Sequence, residues 1–180
     1  MKRWGEIKGE MLRLGGEDMT AYTRLPERFC EAVNRAAVLL CRTLPLIKGV
    51  RLSVVGGEVL DGSDCDDFGG WVDIYTADRT ARPAYHTLPD GSIVVGEDGE
   101  WYAFYRVAPP CITLSDSDEK ELMLSEEAGI VLPILASFYV WEDEDERKAV
   151  RLRSDAYELL AQFQTFRPKS VGVVRAGEDI

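Results

Sequence analysis

The chain has 180 residues, 46% hydrophobic and 29% charged, with a formal net charge of -11. That length and apolar content suit a globular protein with a proper core, and they exclude the depleted composition of a disordered chain. An acidic chain without a basic stripe is a poor match for sequence-specific nucleic-acid recognition, which depends on Lys and Arg contacts to phosphate.

Residues 1 to 16 include Lys2 and Arg3 but no apolar run of the signal-peptide kind, and no stretch is long enough to span a bilayer as a helix. The expected location is therefore the cytoplasm at the time of synthesis. Trp4, Ile7, Met11 and Leu14 recur at spacings of three and four, predicting a helix that Gly15 and Gly16 end. A second helix is expected from Leu25 to Thr43, with Pro26 in its first turn and Phe29, Val33, Ala36, Ala37, Leu40 and Cys41 on its buried face. Cys30 and Cys41 lie about three turns apart on it, too far to bridge, and Cys65 and Cys111 form no C-x-x-C pair either, so reduced thiols are expected.

From Gly49 the period changes to alternation. Val50, Leu52 and Val54 alternate with polar residues, Val72 and Ile74 flank Asp73, and Trp101, Ala103, Tyr105 and Val107 alternate with Tyr102, Phe104 and Arg106. Gly96 to Glu100 reads as the loop of a hairpin between Ile93-Val94-Val95 and Trp101, and about five antiparallel strands are expected. Beyond Pro109 and Pro110, Ser125 is a good N-cap for a helix over 126–141, which is apolar nearly all round and is expected to be central and kinked or broken at Pro133. The last helix, from about Glu146 to Phe163, turns Ala149, Leu152, Ala156, Leu159, Leu160 and Phe163 inward.

The fold expected from these elements is α+β, a bundle of N- and C-terminal helices with a small antiparallel β-sheet or sandwich inserted. The parts are N-terminal helices in 1–48, the β-insertion in 49–110, C-terminal helices in 111–169 and a tail in 170–180, read together as a single domain.

Chemistry-bearing motifs are sparse. His86 is the one histidine, and a pairing with Cys111 has no local support. Asp61 to Asp67 resembles a hard-cation loop, but Tyr75 stands where a calcium loop needs its bidentate Glu, so an acidic turn is the better reading. No catalytic, cofactor-binding or metal-binding residue is assigned; an enzymatic site would have to be built from scattered acids or from a cysteine and His86.

Charge is unevenly distributed. Residues 108 to 146 hold eleven acids and one base, whereas 147 to 169 hold six bases and two acids. Such a split suits head-to-tail association, which makes Glu142, Asp143, Glu144, Asp145, Arg151 and Arg153 candidate interaction residues. Val171 and Val173, in the apolar run after Pro168, are further candidates for strand addition to a neighbouring sheet.

The opening Trp4-Gly5-Glu6-Ile7-Lys8, the helix around Ala32-Val33-Asn34-Arg35-Ala36, and Leu44-Pro45 before the strands resemble small structural proteins of tailed-phage and prophage genomes. Leu122-Met123-Leu124-Ser125-Glu126-Glu127-Ala128 and Leu132-Pro133-Ile134-Leu135-Ala136-Ser137, followed by acids and a last helix, are similar to the long helix of neck or head-tail adaptor proteins. The link from Gly15 to Arg24 is shorter than the loop of such proteins. The resemblance implies a non-enzymatic head-tail connector subunit, working in a homo-oligomeric ring between portal and tail proteins and ending in the virion. Another bacterial or phage protein-protein interaction module is the alternative.

Overall fold

The computed structural model describes residues 2–166, which form two compact units: residues 2–45 with 109–166, and residues 46–108. The fold is α+β, with helices in the first unit and antiparallel sheets in the second. Val171 and Val173 lie outside the described residues.

The helical unit begins with β1 (Lys2–Arg3), which pairs with β8 (Glu121–Leu122), so the chain start is fastened to the segment ahead of the central helix. Helix α1 (Trp4–Gly15) buries Trp4, Ile7 and Met11 of the stripe its spacing predicts, leaves Leu14 half-buried and buries Leu12 as well. Its end is a Schellman turn: Gly16 has φ 70°, its N–H donates to Arg13 O at 3.1 Å, and Glu17 N–H donates to Leu12 O at 2.9 Å. A short helix that periodicity did not reveal, α2 (Met19–Arg24), follows, capped by the Asp18 carboxylate on Thr20 N–H. Six residues are too few for an apolar stripe to register. Helix α3 (Pro26–Thr43) has Pro at its first position and buries every apolar residue assigned to its inner face.

Helix α4 (Glu126–Trp141) lies against α1, α3 and α5 (Glu146–Phe166). Ser125 caps it, its hydroxyl accepting from Ala128 N–H at 3.2 Å. The helix runs through Pro133 without the expected break, because packing on three sides holds it where Pro costs one ladder bond. Trp4, Tyr22, Phe29 and Trp141 follow one another edge to face, at centroid separations of 6.3, 5.5 and 6.4 Å.

Two polar clamps mark where the chain leaves this unit and returns. Ser125 Oγ donates to Leu44 O at 2.9 Å, tying the end of α3 to the start of α4. Asn34 holds both backbone groups of Ile112: its Nδ2 donates to Ile112 O at 2.8 Å and its Oδ1 accepts from Ile112 N–H at 2.7 Å. Asn is a mediocre helix-interior residue, so its place here is explained by that pairing.

The second unit is a small sandwich. Strands β2 (Ile47–Val54), β7 (Gly99–Val107) and β4 (Phe68–Thr76) form one antiparallel sheet in the order β2-β7-β4. Strands β3 (Val59–Leu60), β6 (Ile93–Val95) and β5 (Tyr85–Thr87) form another in the order β3-β6-β5. Their shared core is Val54, Ile74, Ile93, Val95, Trp101 and Ala103.

Two expectations are corrected here. Strands β6 and β7 are not a hairpin, since they belong to different sheets; Gly96 N–H donates to Ala84 O, and Asp98 accepts from Gly56 N–H, as the link crosses over. Val72 is also not on the inner face with Ile74. A bulge between Trp71 and Asp73 turns Trp71 and Ile74 inward and leaves Val72 exposed.

Replacing Asn34 by Ala is expected to lower stability by about 2–3 kcal/mol in urea denaturation, because the backbone of the buried Ile112 loses both partners. A loss below about 0.5 kcal/mol would show that water replaces the clamp.

Candidate interaction surfaces

The acidic run sits where α4 passes into α5, and the helical unit uses most of it internally. Glu142 pairs with Arg35 at 2.7 Å, and Glu144 with Arg28 at 2.8 Å. Asp143, exposed, reaches Arg28 at 3.6 Å. The Asp145 carboxylate accepts from Lys148 N–H at 3.0 Å in the first turn of α5. The guanidinium of Arg35 lies 4.0 Å from the centre of the Tyr139 ring, so the pair with Glu142 is also seated on an aromatic face. These carboxylates hold the α4–α5 turn against α3, and a cleft of about 690 Å³ lined by Arg24, Arg28, Glu31, Tyr139 and Asp143 opens there.

Among the basic candidates, Arg151 Nη2 donates to Leu14 O at 3.4 Å, at the C-terminal end of α1 where carbonyls are left over. Arg153 lies within 6 Å of the rings of Phe138 and Tyr157, at 5.9 and 5.8 Å. Around Arg153, the outward side of α5 carries Val150, 61% exposed, and Tyr157, 46% exposed. Val150, Arg153, Ser154 and Tyr157 are spaced three and four apart, so α5 has a second stripe about a third of a turn round the helix from the buried Ala149, Leu152 and Ala156, with Val150 and Tyr157 as its exposed apolar members. Periodicity alone favours the stronger inward stripe and hides this one.

His86 is exposed on β5. In the Asp61 to Asp67 loop, Asp61 accepts from Ser63 N–H at 2.9 Å, closing an Asx turn. Asp67 accepts from Lys48 Nζ at 2.5 Å and from Tyr105 OH at 2.9 Å. The loop is thus an acidic turn whose last carboxylate braces β2 and β7.

The Lys48 ammonium, with Tyr105 adding to it, holds the Asp67 carboxyl below the ordinary aspartate range. Burial, together with the adjoining Asp67, pushes the Tyr105 phenol well above the ordinary tyrosine range.

The surface that sequence reasoning missed is the other side of the β2-β7-β4 sheet. Tyr102 and Phe104 project from β7 opposite the buried Trp101, Ala103 and Tyr105, with ring centroids 5.1 Å apart. Tyr75 of β4 joins them 5.9 Å from Phe104. Gly49 is required beneath Tyr102, since a Cβ there would lie 2.5 Å from the ring. The available signal was that both alternating sets of Trp101 to Val107 are apolar or aromatic apart from Arg106, a pattern of a strand used on both faces.

No protein-family model matches the chain, and no curated protein is significantly similar to it.

The depressed Asp67 pKa sets a pH dependence. Its contribution to stability is complete above the unfolded aspartate value, near 4, and is lost as pH falls through the lower folded value. Asp67→Asn is expected to cost about 1–2 kcal/mol at pH 7. Its difference from wild type should shrink below about pH 4 in denaturant titrations; a difference independent of pH would contradict this assignment.

Proposed function

We propose that this chain is a non-enzymatic assembly subunit of a tailed phage or prophage, a head-tail connector or adaptor acting in a ring between portal and tail. The observation that carries the reading is the second, exposed stripe of α5. A helix whose inner stripe already fills the core leaves Val150 and Tyr157 uncovered, with Arg153 and Ser154 between them. A regular helical face with i, i+3, i+4 and i+7 positions is a surface for another protein, in the manner of helix-in-groove recognition. The order of elements supports the same reading: N-terminal helices, a β-insertion, an apolar central helix and a last helix after an acidic turn are the features that resemble neck proteins.

A ring subunit needs complementary surfaces on a rigid body. The clamps at Leu44–Ser125 and Asn34–Ile112 supply rigidity where the chain leaves and re-enters the helical unit. Partners are then further copies of the chain and portal or tail proteins, and the destination is the virion.

The reading frames flanking the gene test this directly: portal, capsid or tail proteins are expected on either side, and metabolic or regulatory neighbours would contradict it. The surface is tested by Val150→Asp with Tyr157→Ser. Because both side chains are exposed, stability should change by less than about 0.5 kcal/mol, while incorporation into particles is lost. Undiminished incorporation would remove α5 from the assembly surface.

A further inference from the structure

Residues 46–108 contain eleven acids, one lysine and four arginines, and these charges are segregated. All four arginines meet the aromatic side of the β2-β7-β4 sheet. Arg51 is the cross-strand neighbour of Tyr102, and Arg106 follows Tyr102 and Phe104 on the same side of β7. The Arg79 guanidinium lies 3.9 Å from the centre of the Tyr102 ring, and that of Arg82 lies 5.3 Å from the centre of the Tyr75 ring. Arg51 is paired with Glu100, and Arg82 with Asp73. Arg79 and Arg106 have no ion pair among the described residues. Ile47 and Val72, both exposed, flank this face.

The acids lie mainly elsewhere. Glu58, Asp61, Asp64, Asp66, Asp90, Glu97 and Asp98 are exposed in the connections of β3, β5 and β6, the strands of the sheet that covers the inner side of β2-β7-β4. None of the seven has an ion pair among the described residues. One side of the sandwich therefore carries the aromatic residues and all four arginines, with Asp73 and Glu100 neutralised by Arg82 and Arg51 and Asp78 in the turn of Arg79, while the connections flanking β3 and β6 of its other sheet carry acids and no base.

One backbone feature points to the basic side as a built surface. Arg79 has φ 62°, the single non-glycine residue with positive φ among those described. An arginine in the left-handed region costs about 1 kcal/mol relative to ordinary backbone. The turn that holds it is over-determined, with Thr80 N–H and Oγ1 donating to Asp78 at 3.1 and 2.8 Å and Arg79 N–H donating to Thr76 O at 2.7 Å. The strained conformation places the guanidinium on Tyr102.

We propose that the aromatic-arginine face of β2-β7-β4 binds the acidic connections of the β3-β6-β5 sheet in a second copy of the chain, making a head-to-tail contact. This rests on the reading of the chain as a self-assembling subunit and names the surfaces that meet. Charge complementarity selects the occupant. Seven exposed carboxylates without an ion pair, and two arginines without one, Arg79 on the Tyr102 ring and Arg106 on the same side of β7, are present in the same unit, on different sheets, which is the heterologous arrangement that propagates into a ring or a filament. A nucleic acid fits less well, because phosphates would meet a unit with twice as many acids as bases.

The test is sedimentation of the full chain over a concentration series at about 50 mM salt, where screening is weak. Wild type should self-associate, and Arg79→Glu with Arg106→Glu should weaken association by about tenfold or more. Asp64→Lys with Asp66→Lys should do the same, and an equimolar mixture of the two reversed chains should restore association. Arg79→Gly separates binding from folding: glycine suits the left-handed backbone, so the melting temperature should hold or rise while association weakens. Association that survives both reversals would place the contact between copies elsewhere, overturning this interface while leaving the assembly reading standing. A wild-type chain that stays monomeric throughout would overturn the interface too; the assembly reading is decided separately, by incorporation into particles.

Discussion

The helical unit depends on one requirement, that a helix apolar nearly all round be covered on three sides, with Ile130 left on the exposed one. Of the sixteen residues of α4, ten are buried, among them Val131, Leu132, Leu135, Ala136 and Val140. No single neighbour can cover such a helix, so α1, α3 and α5 each take a side. Burying those side chains stabilises the unit by roughly 1.5–3 kcal/mol for each large aliphatic residue. The buried polar residue of α4 is also satisfied within the helix: Ser137 donates its hydroxyl to Pro133 O at 2.7 Å, one turn beyond the ladder bond that proline cannot make. With α4 enclosed, the chain has to leave and re-enter the bundle without opening it, and the Ser125 and Asn34 clamps sit at those two points.

Much of this was legible in the sequence because helical packing leaves a periodic trace. Trp4, Ile7 and Met11, or Phe29, Val33, Ala36 and Leu40, declare a buried face by spacing alone, and Ser125 declares a helix start by its chemistry. What stayed hidden depends on pairing between distant residues. The β1–β8 pair is two residues long, and nothing local marks Lys2 as the partner of Leu122. The bulge at Trp71–Asp73 reverses the face of Val72 through the register with β7, which no reading of β4 by itself contains. The same holds for the site residues. Glu142 and Glu144 are visible as a charge run, but that they close onto Arg35 and Arg28 follows only once α3 and α4 are side by side.

The two units therefore handle charge differently. In the helical unit the acids of the α4–α5 turn are paired locally, and surface pairs of this kind contribute about 0.2–1 kcal/mol each; their effect is to fix the turn. In the β-unit Arg79 and Arg82 lie on aromatic rings, while the exposed acids of the opposite sheet's connections have no ion pair among the described residues. A surface kept in that condition, with a strained Arg79 in it, is matched to binding more than to stability. The outward stripe of α5 has the same character, since Val150 and Tyr157 add nothing to the core. Both features fit a protein that acts through its surfaces.

Hydroxyl-radical footprinting of the chain, free and in the proposed assembly, tests that claim most directly because it reads individual side chains. The account predicts that Tyr75, Tyr102, Phe104, Val150 and Tyr157 lose reactivity on assembly, while Met19 and Leu114, exposed on neither surface, keep theirs. Equal labelling of those five residues in the free and assembled chain would contradict it.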